Sequence, residues 1–185
     1  MRKRYIATIL TAFGVVGYLA MDDSHSPTQV QKGNTQSSEP DYIINGLSAE
    51  NYGKDGKLSQ QIDAITATHF PDSDTTVLTE PSVVVHKNDL PRWGIRSNTG
   101  KLDSQQMLQL EGDILIVPME DGNTLSLSTQ ELNIDLNKHI ADTDKSVLIE
   151  SDTTELQAVG MSLNLNTQQA NFKSQVRGKH VPDAQ

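Results

Sequence analysis

The sequence predicts an all-β, antiparallel domain built from repeats and preceded by one N-terminal transmembrane helix. Three observations carry this reading: one uncharged run near the start, two-residue alternation of apolar and polar residues over most of the chain, and turn residues between the alternating stretches. The first element is Tyr5 to Met21, YIATILTAFGVVGYLAM, flanked by Arg2-Lys3-Arg4 and by Asp22-Asp23. As a helix rising about 1.5 Å per residue it reaches roughly 25 Å, the short end for a hydrocarbon core of about 30 Å. A cleaved secretory signal and a permanent anchor both fit such a run. Cleavage after Ala20 would put Tyr18 where a small residue is wanted, which favours the anchor. The basic tip stays cytoplasmic, so everything after the anchor faces outward. Ala7, Thr11 and Gly14 recur at helical spacing and form a small-residue stripe suited to packing against another transmembrane helix, although such residues are common in any membrane helix.

Residues 22–41 contain almost no large apolar side chain and are rich in Ser, Gln, Asp and Pro. They cannot bury enough surface to offset chain entropy and read as a flexible tether. The β domain is expected over 42–185. In it Leu58, Gln60, Ile62 and Ala64 fall on one side of an extended stretch. The same alternation recurs at Val83 and Val85, Trp93 and Ile95, Leu108 and Leu110, Ile114 and Ile116, Leu125 and Leu127, and Met161, Leu163 and Leu165. Turns are expected at Gly53 to Gly56, Asn88-Asp89, Asp121-Gly122-Asn123 and Asp142-Thr-Asp144. A weak repeat aligns Ala64, Ser97, Thr129 and Gly160, whose positions differ by 33, 32 and 31 residues. Regular spacing of this kind suits an elongated, stacked β architecture.

Composition narrows the chemistry. Of 15 basic residues three precede the anchor, so the rest of the chain sets 12 basic against 24 acidic residues. Phosphate backbones need a clustered positive surface, which excludes nucleic acid as a partner. Without cysteine there is no disulfide, thiol nucleophile or thiolate metal ligand. His25, His69, His86, His139 and His180 lack metal-ligand spacing, and none adjoins a plausible nucleophile. Asp72-Ser-Asp74 and Asp142-Thr-Asp144 lack the Gly and distal Glu of a calcium loop. No catalytic residue, metal or cofactor is assigned. Outside the anchor the aromatic residues are Tyr42, Tyr52, Phe70, Trp93 and Phe172, so the inward faces are mainly aliphatic. They suit either an ordinary core or contact with hydrocarbon.

Leu78-Thr-Glu-Pro81 before the Val83 strand, Leu90-Pro-Arg-Trp93-Gly-Ile95 leading to Gly100-Lys-Leu102, and Met107-Leu108-x-Leu110-x-Gly112 follow one another at characteristic spacings. With the segments around Gly160 and from Ala170 to Arg177, they make the chain resemble the LptC family, the bitopic inner-membrane component of lipopolysaccharide export. One departure is local: where the family pattern suggests a glycine, Glu150 runs into Ser151-Asp152. The resemblance implies a twisted, jelly-roll-like β-sandwich in the periplasm and no enzymatic activity. It implies that lipopolysaccharide is accepted from an inner-membrane ABC transporter and passed to a periplasmic partner of the same fold. Leu47 and Leu78 take positions that point into a lipid trough in the family, and alternation adds Ile62, Trp93 and Ile95. Ala170, Phe172 and His180, in the last strands, are the expected partner edge. The competing reading is a membrane-anchored structural adaptor that scaffolds an envelope complex without touching lipid.

Overall fold

The computed structural model describes residues 39–122 and 124–180. The predicted transmembrane helix, with Ala7, Thr11 and Gly14, and nearly all of the tether lie outside the described residues. Among the described residues no helix is long and apolar enough to cross a membrane.

Eleven antiparallel strands follow one another: β1 Tyr42–Tyr52, β2 Leu58–Phe70, β3 Thr75–Thr79, β4 Ser82–Lys87, β5 Leu90–Arg96, β6 Thr99–Asp103, β7 Met107–Pro118, β8 Ser126–Asp135, β9 Ile140–Glu150, β10 Thr154–Asn164 and β11 Gln169–His180. Alternate burial along β2, β7 and β8 reflects the pleat, which turns successive side chains to opposite faces. The pairing path is β11-β10-β9-β8-β7-β5-β4-β2-β3-β6, with β1 on the other side of β2 and β6 returning to β7. One edge of β2 is therefore shared by β4, opposite Gln60 to Asp63, and β3, opposite Thr66 to Phe70. β7 is shared in the same way by β6 and β5.

This sharing divides the sheet along a fold line. The long strands cross it at bends, with a left-handed backbone at Gly46, Gly112, Asp113, Gly160 and Gln175. Their ladders shift register there, between Glu111 and Ile114, between Ser128 and Asn133, and between Val159 and Met161. An extra residue in one strand bends it and increases its twist, which turns a flat sheet over on itself. Where the short strands meet the line, the Glu80 and Ser97 amides donate to the Asn98 and Pro81 carbonyls (2.8 and 3.2 Å). The Asn98 amide donates to Gly112 (3.0 Å). All four repeat positions, Ala64, Ser97, Thr129 and Gly160, fall on or beside this line, so the repeat marks where the chain bends.

The two halves face each other as a sandwich. Gln60 of β2 donates from Nε2 to the Leu136 carbonyl beyond β8 (2.6 Å), and Trp93 of β5 donates from Nε1 to the Leu165 carbonyl beyond β10 (3.0 Å). Neither pair consists of sheet neighbours. Between the layers lies one aliphatic cluster in which Val83, Leu108, Ile116, Ile134, Ala141 and Met161 have no exposure. Each such large side chain contributes about 1.5–3 kcal/mol through burial.

Leu108 to Leu110 and Ile114 to Ile116, two alternating stretches in the sequence, are the two arms of the single strand β7. One expected turn needs correction. The Asp142-Thr-Asp144 stretch, read as a turn, lies inside β9 with Thr143 buried. In both places a bulge has the polar, turn-like composition of a loop without ending the strand. The turn after Glu150 closes without glycine, by a bond from the Ser151 amide to the Thr154 carbonyl (2.8 Å).

Candidate functional site

Strand pairing sets the geometry of the inward faces. In one layer Ala49, Ile62, Val83, Ile95, Ile116, Leu127, Ile149 and Leu156 stand opposite one another in turn, an apolar row running from β1 to β10. Trp93 lies on the neighbouring row, opposite Val85 and Pro118. The facing layer carries Ala67, Leu78, Gly100, Leu110 and Leu132 in one row. A Cβ at Gly100 would come within 3.1 Å of Leu110 and Pro81, so only glycine lets that row close up.

Ile62, Leu78, Trp93 and Ile95 thus share one cluster, and Leu47 packs against it from the rim. Their accessibility differs. Leu78 and Ile95 are 1% exposed and tightly enclosed, whereas Leu47, Leu102, Leu125, Leu156 and Phe172 are partly buried at the margins. Leu47 is thus the more accessible of the two positions that the resemblance places in the trough.

The sheet has two unpaired sides among the described residues, the outer edges of β1 and β11. Ala170, Phe172 and His180 all lie on β11, opposite Leu163, Met161 and Thr154. Ala170 and His180 are exposed, whereas Phe172 turns inward and anchors the strand to the cluster. Through Phe172 the edge offers a backbone, not an aromatic contact. The alternation in the sequence does not mark β1 as an open edge; its Tyr42, Ile43 and Ile44 are 47%, 58% and 40% exposed. Its only signal was three consecutive apolar residues where a half-buried strand alternates. An apolar edge strand is what soluble proteins ordinarily blunt.

β1 is pinned at its start by a polar cluster. The His69 ring lies 2.8 Å from Asp41 through Nδ1 and 3.3 Å from Asp74 through Nε2, and it stacks on Tyr42 with centroids 4.7 Å apart. The hydrogen bond to Asp41, helped by Asp74, raises the His69 pKa against a smaller opposing effect of burial. A raised folded value means that the charged ring's stabilisation is complete below the unfolded pKa of about 6.5 and is lost as pH rises through the folded one. The melting temperature of the wild type should exceed that of His69→Gln most at about pH 6, with the gap closing by about pH 9. A gap independent of pH would show that stacking alone holds β1.

Among the described residues no group of His, Asp and Glu is arranged to hold a metal. Asp74 is engaged by His69, and Asp144 accepts from Lys173 at 2.6 Å, which lowers the Asp144 pKa. The site is thus an apolar interior between two layers, flanked by two strand edges that are unpaired among the described residues.

A repeat-built, bent β-sandwich with an aliphatic interior and free edges defines a β-jellyroll domain. The family model "LptC: Lipopolysaccharide-assembly, LptC-related" matches residues 6–181, and the chain belongs to this family. No curated protein matches the chain in sequence. Among solved structures it is similar to LptH, the LptA-homologous periplasmic component of the lipopolysaccharide transport device of Pseudomonas aeruginosa. That match has a TM-score of 0.52 at 9% identity and covers 66% of this chain and 95% of the other. Membership of this family supports a role in lipopolysaccharide transport and indicates no catalytic family, while the structural likeness bears on the fold alone.

Proposed function

We propose that this domain carries the acyl chains of lipopolysaccharide between its two layers and hands the lipid on through strand-paired neighbours. It accepts the lipid from an inner-membrane ABC transporter and passes it to a periplasmic protein of the same fold. Tyr5 to Met21 anchor the chain in the inner membrane with the N-terminus cytoplasmic, and the β domain stands in the periplasm. The observation that carries this reading is the apolar row from Ala49, exposed on the edge strand β1, through the buried core to Leu156 on β10, the strand beside the other free edge. Hydrocarbon needs such continuity because each buried methylene contributes about 0.8 kcal/mol, and a gap would interrupt its passage. Transfer by partitioning needs no covalent step, so the energy comes from the partner ATPase.

Leu47 is the position at which to test this, since Leu78 is too enclosed to tolerate a bulky probe. With a photoreactive residue at Leu47 in the full chain and its membrane complex, the expected adduct contains lipopolysaccharide. Adducts with partner proteins alone would overturn the lipid reading and leave a scaffold.

The edge of β11 is tested by Phe172→Pro against Phe172→Ala. Both lose the inward ring, but only Pro removes a backbone donor. Capture of the periplasmic partner should fall for Pro well below the level for Ala; equal capture by the two folded variants would exclude strand addition at this point.

A further inference from the structure

The outward face carries a groove that neither the interior nor the edges explain. It has a volume of about 610 Å³ and is lined by residues at and beside the fold line, where the ladders shift register. Pairing aligns its floor in a single row from Arg96 through Leu115, Ser128, Leu148 and Gln157 to Arg177. Arg96 points outward because Ile95 beside it points into the core. Arg177, paired with Gln157 next to buried Ala158, points to the same face.

Among the described residues neither guanidinium has an ion pair, in a chain where acidic residues outnumber basic ones 24 to 15. The third described arginine, Arg92, is held by Glu120. Two guanidinium groups without an ion pair stand at the two ends of one groove, where their planar forks can meet anionic groups from outside and match phosphate in two-point contact. The floor between them is not that of a bare anion site. Gln157, whose Nε2 already donates to Glu155 at 3.1 Å, and Gln175 supply both donors and acceptors, and Asp113, which accepts from Asn98 at 3.1 Å, supplies acceptors only. Such a mixture suits hydroxyl groups. Leu115 and Leu148 offer apolar surface for the faces of sugar rings.

We propose that this groove binds a phosphorylated saccharide of two or more rings, with phosphates on Arg96 and Arg177 and hydroxyls on Gln157, Gln175 and Asp113. The site is separate from the interior proposed for acyl chains. The same chemistry reaches it from two sources, the headgroup of a glycolipid or a free sugar phosphate.

The test uses the full chain in nonionic detergent and a labelled disaccharide that bears two phosphates and no acyl chain. Wild type should bind it; Arg96→Ala and Arg177→Ala should each weaken binding about tenfold, and the double variant more. Both arginines are exposed, so the melting temperature should not move. The dephosphorylated disaccharide should bind much more weakly, and inorganic pyrophosphate should compete poorly. Competition by intact lipopolysaccharide would assign the headgroup as the source, and its absence a free saccharide. No binding by wild type, unchanged binding by the double variant, or pyrophosphate competing as well as the disaccharide would overturn the assignment. The photoadduct from Leu47 reports the interior separately, so either reading can fail alone.

Discussion

Trp93→Ala is expected to destabilise the β domain by about 3–5 kcal/mol, the range for removing a large aromatic side chain from a core. The indole is 4% exposed and does two things. Its ring fills the row between Val85 and Pro118, and its Nε1 donates to the Leu165 carbonyl of the facing layer at 3.0 Å. Truncation leaves a void and an orphaned carbonyl. Trp93→Phe separates the two effects: most of the volume returns while the carbonyl stays unpaired, with an expected cost of about 1–3 kcal/mol. Urea unfolding followed by circular dichroism measures both, since Trp93 is the only tryptophan. Equal losses for Ala and Phe would mean that the bond between layers dominates, and a negligible loss for Ala would mean that the layers are not joined there. Trp93 was expected as a trough-lining residue; its hydrogen bond also makes it a tie between layers.

The second large effect is expected at the fold line. Gly112 has φ +79°, and a Cβ there would meet the Asn98 side chain at 2.9 Å. Gly112→Val combines a left-handed backbone, costing roughly 1–2 kcal/mol for an L-residue, with overpacking of about 1–3 kcal/mol. Gly46, with φ +70° at the bend of β1, is the matched control, because a Cβ there meets nothing within 4 Å. Gly46→Val should therefore show the backbone cost alone. Comparable losses at the two positions would show that the bend tolerates the clash, and the tie from Asn98 to Gly112 would not be what sets the fold angle.

The alternation at Ile62, Val83, Trp93, Ile95, Leu110 and Leu163 was sufficient to recognise strands and the side that turns inward, because a period of two is local and every pleated strand obeys it. The repeat of Ala64, Ser97, Thr129 and Gly160 was equally legible as a spacing, but its meaning was not. A bulge and a turn draw on the same Gly, Asp and Asn residues, so the bend at Gly112 looked like the end of a strand and Asp142 to Asp144 looked like a loop. The exposed apolar start of β1 at Ile43 and Ile44 is not legible in the sequence, because consecutive apolar residues do not announce which face, if either, is covered.

By itself the sequence determined the class of the domain, its antiparallel strands, its inward aliphatic residues and a family resemblance, all of which rest on local periodicity and ordered spacing. Only the tertiary structure decided that Leu78 is enclosed while Leu47 stands at the rim, that Phe172 turns inward from a free edge, and that Arg96 and Arg177 share one groove. The reason is register. Residues 81 positions apart come to lie on one row only after six strands have paired in order, and no local pattern in the chain encodes that alignment.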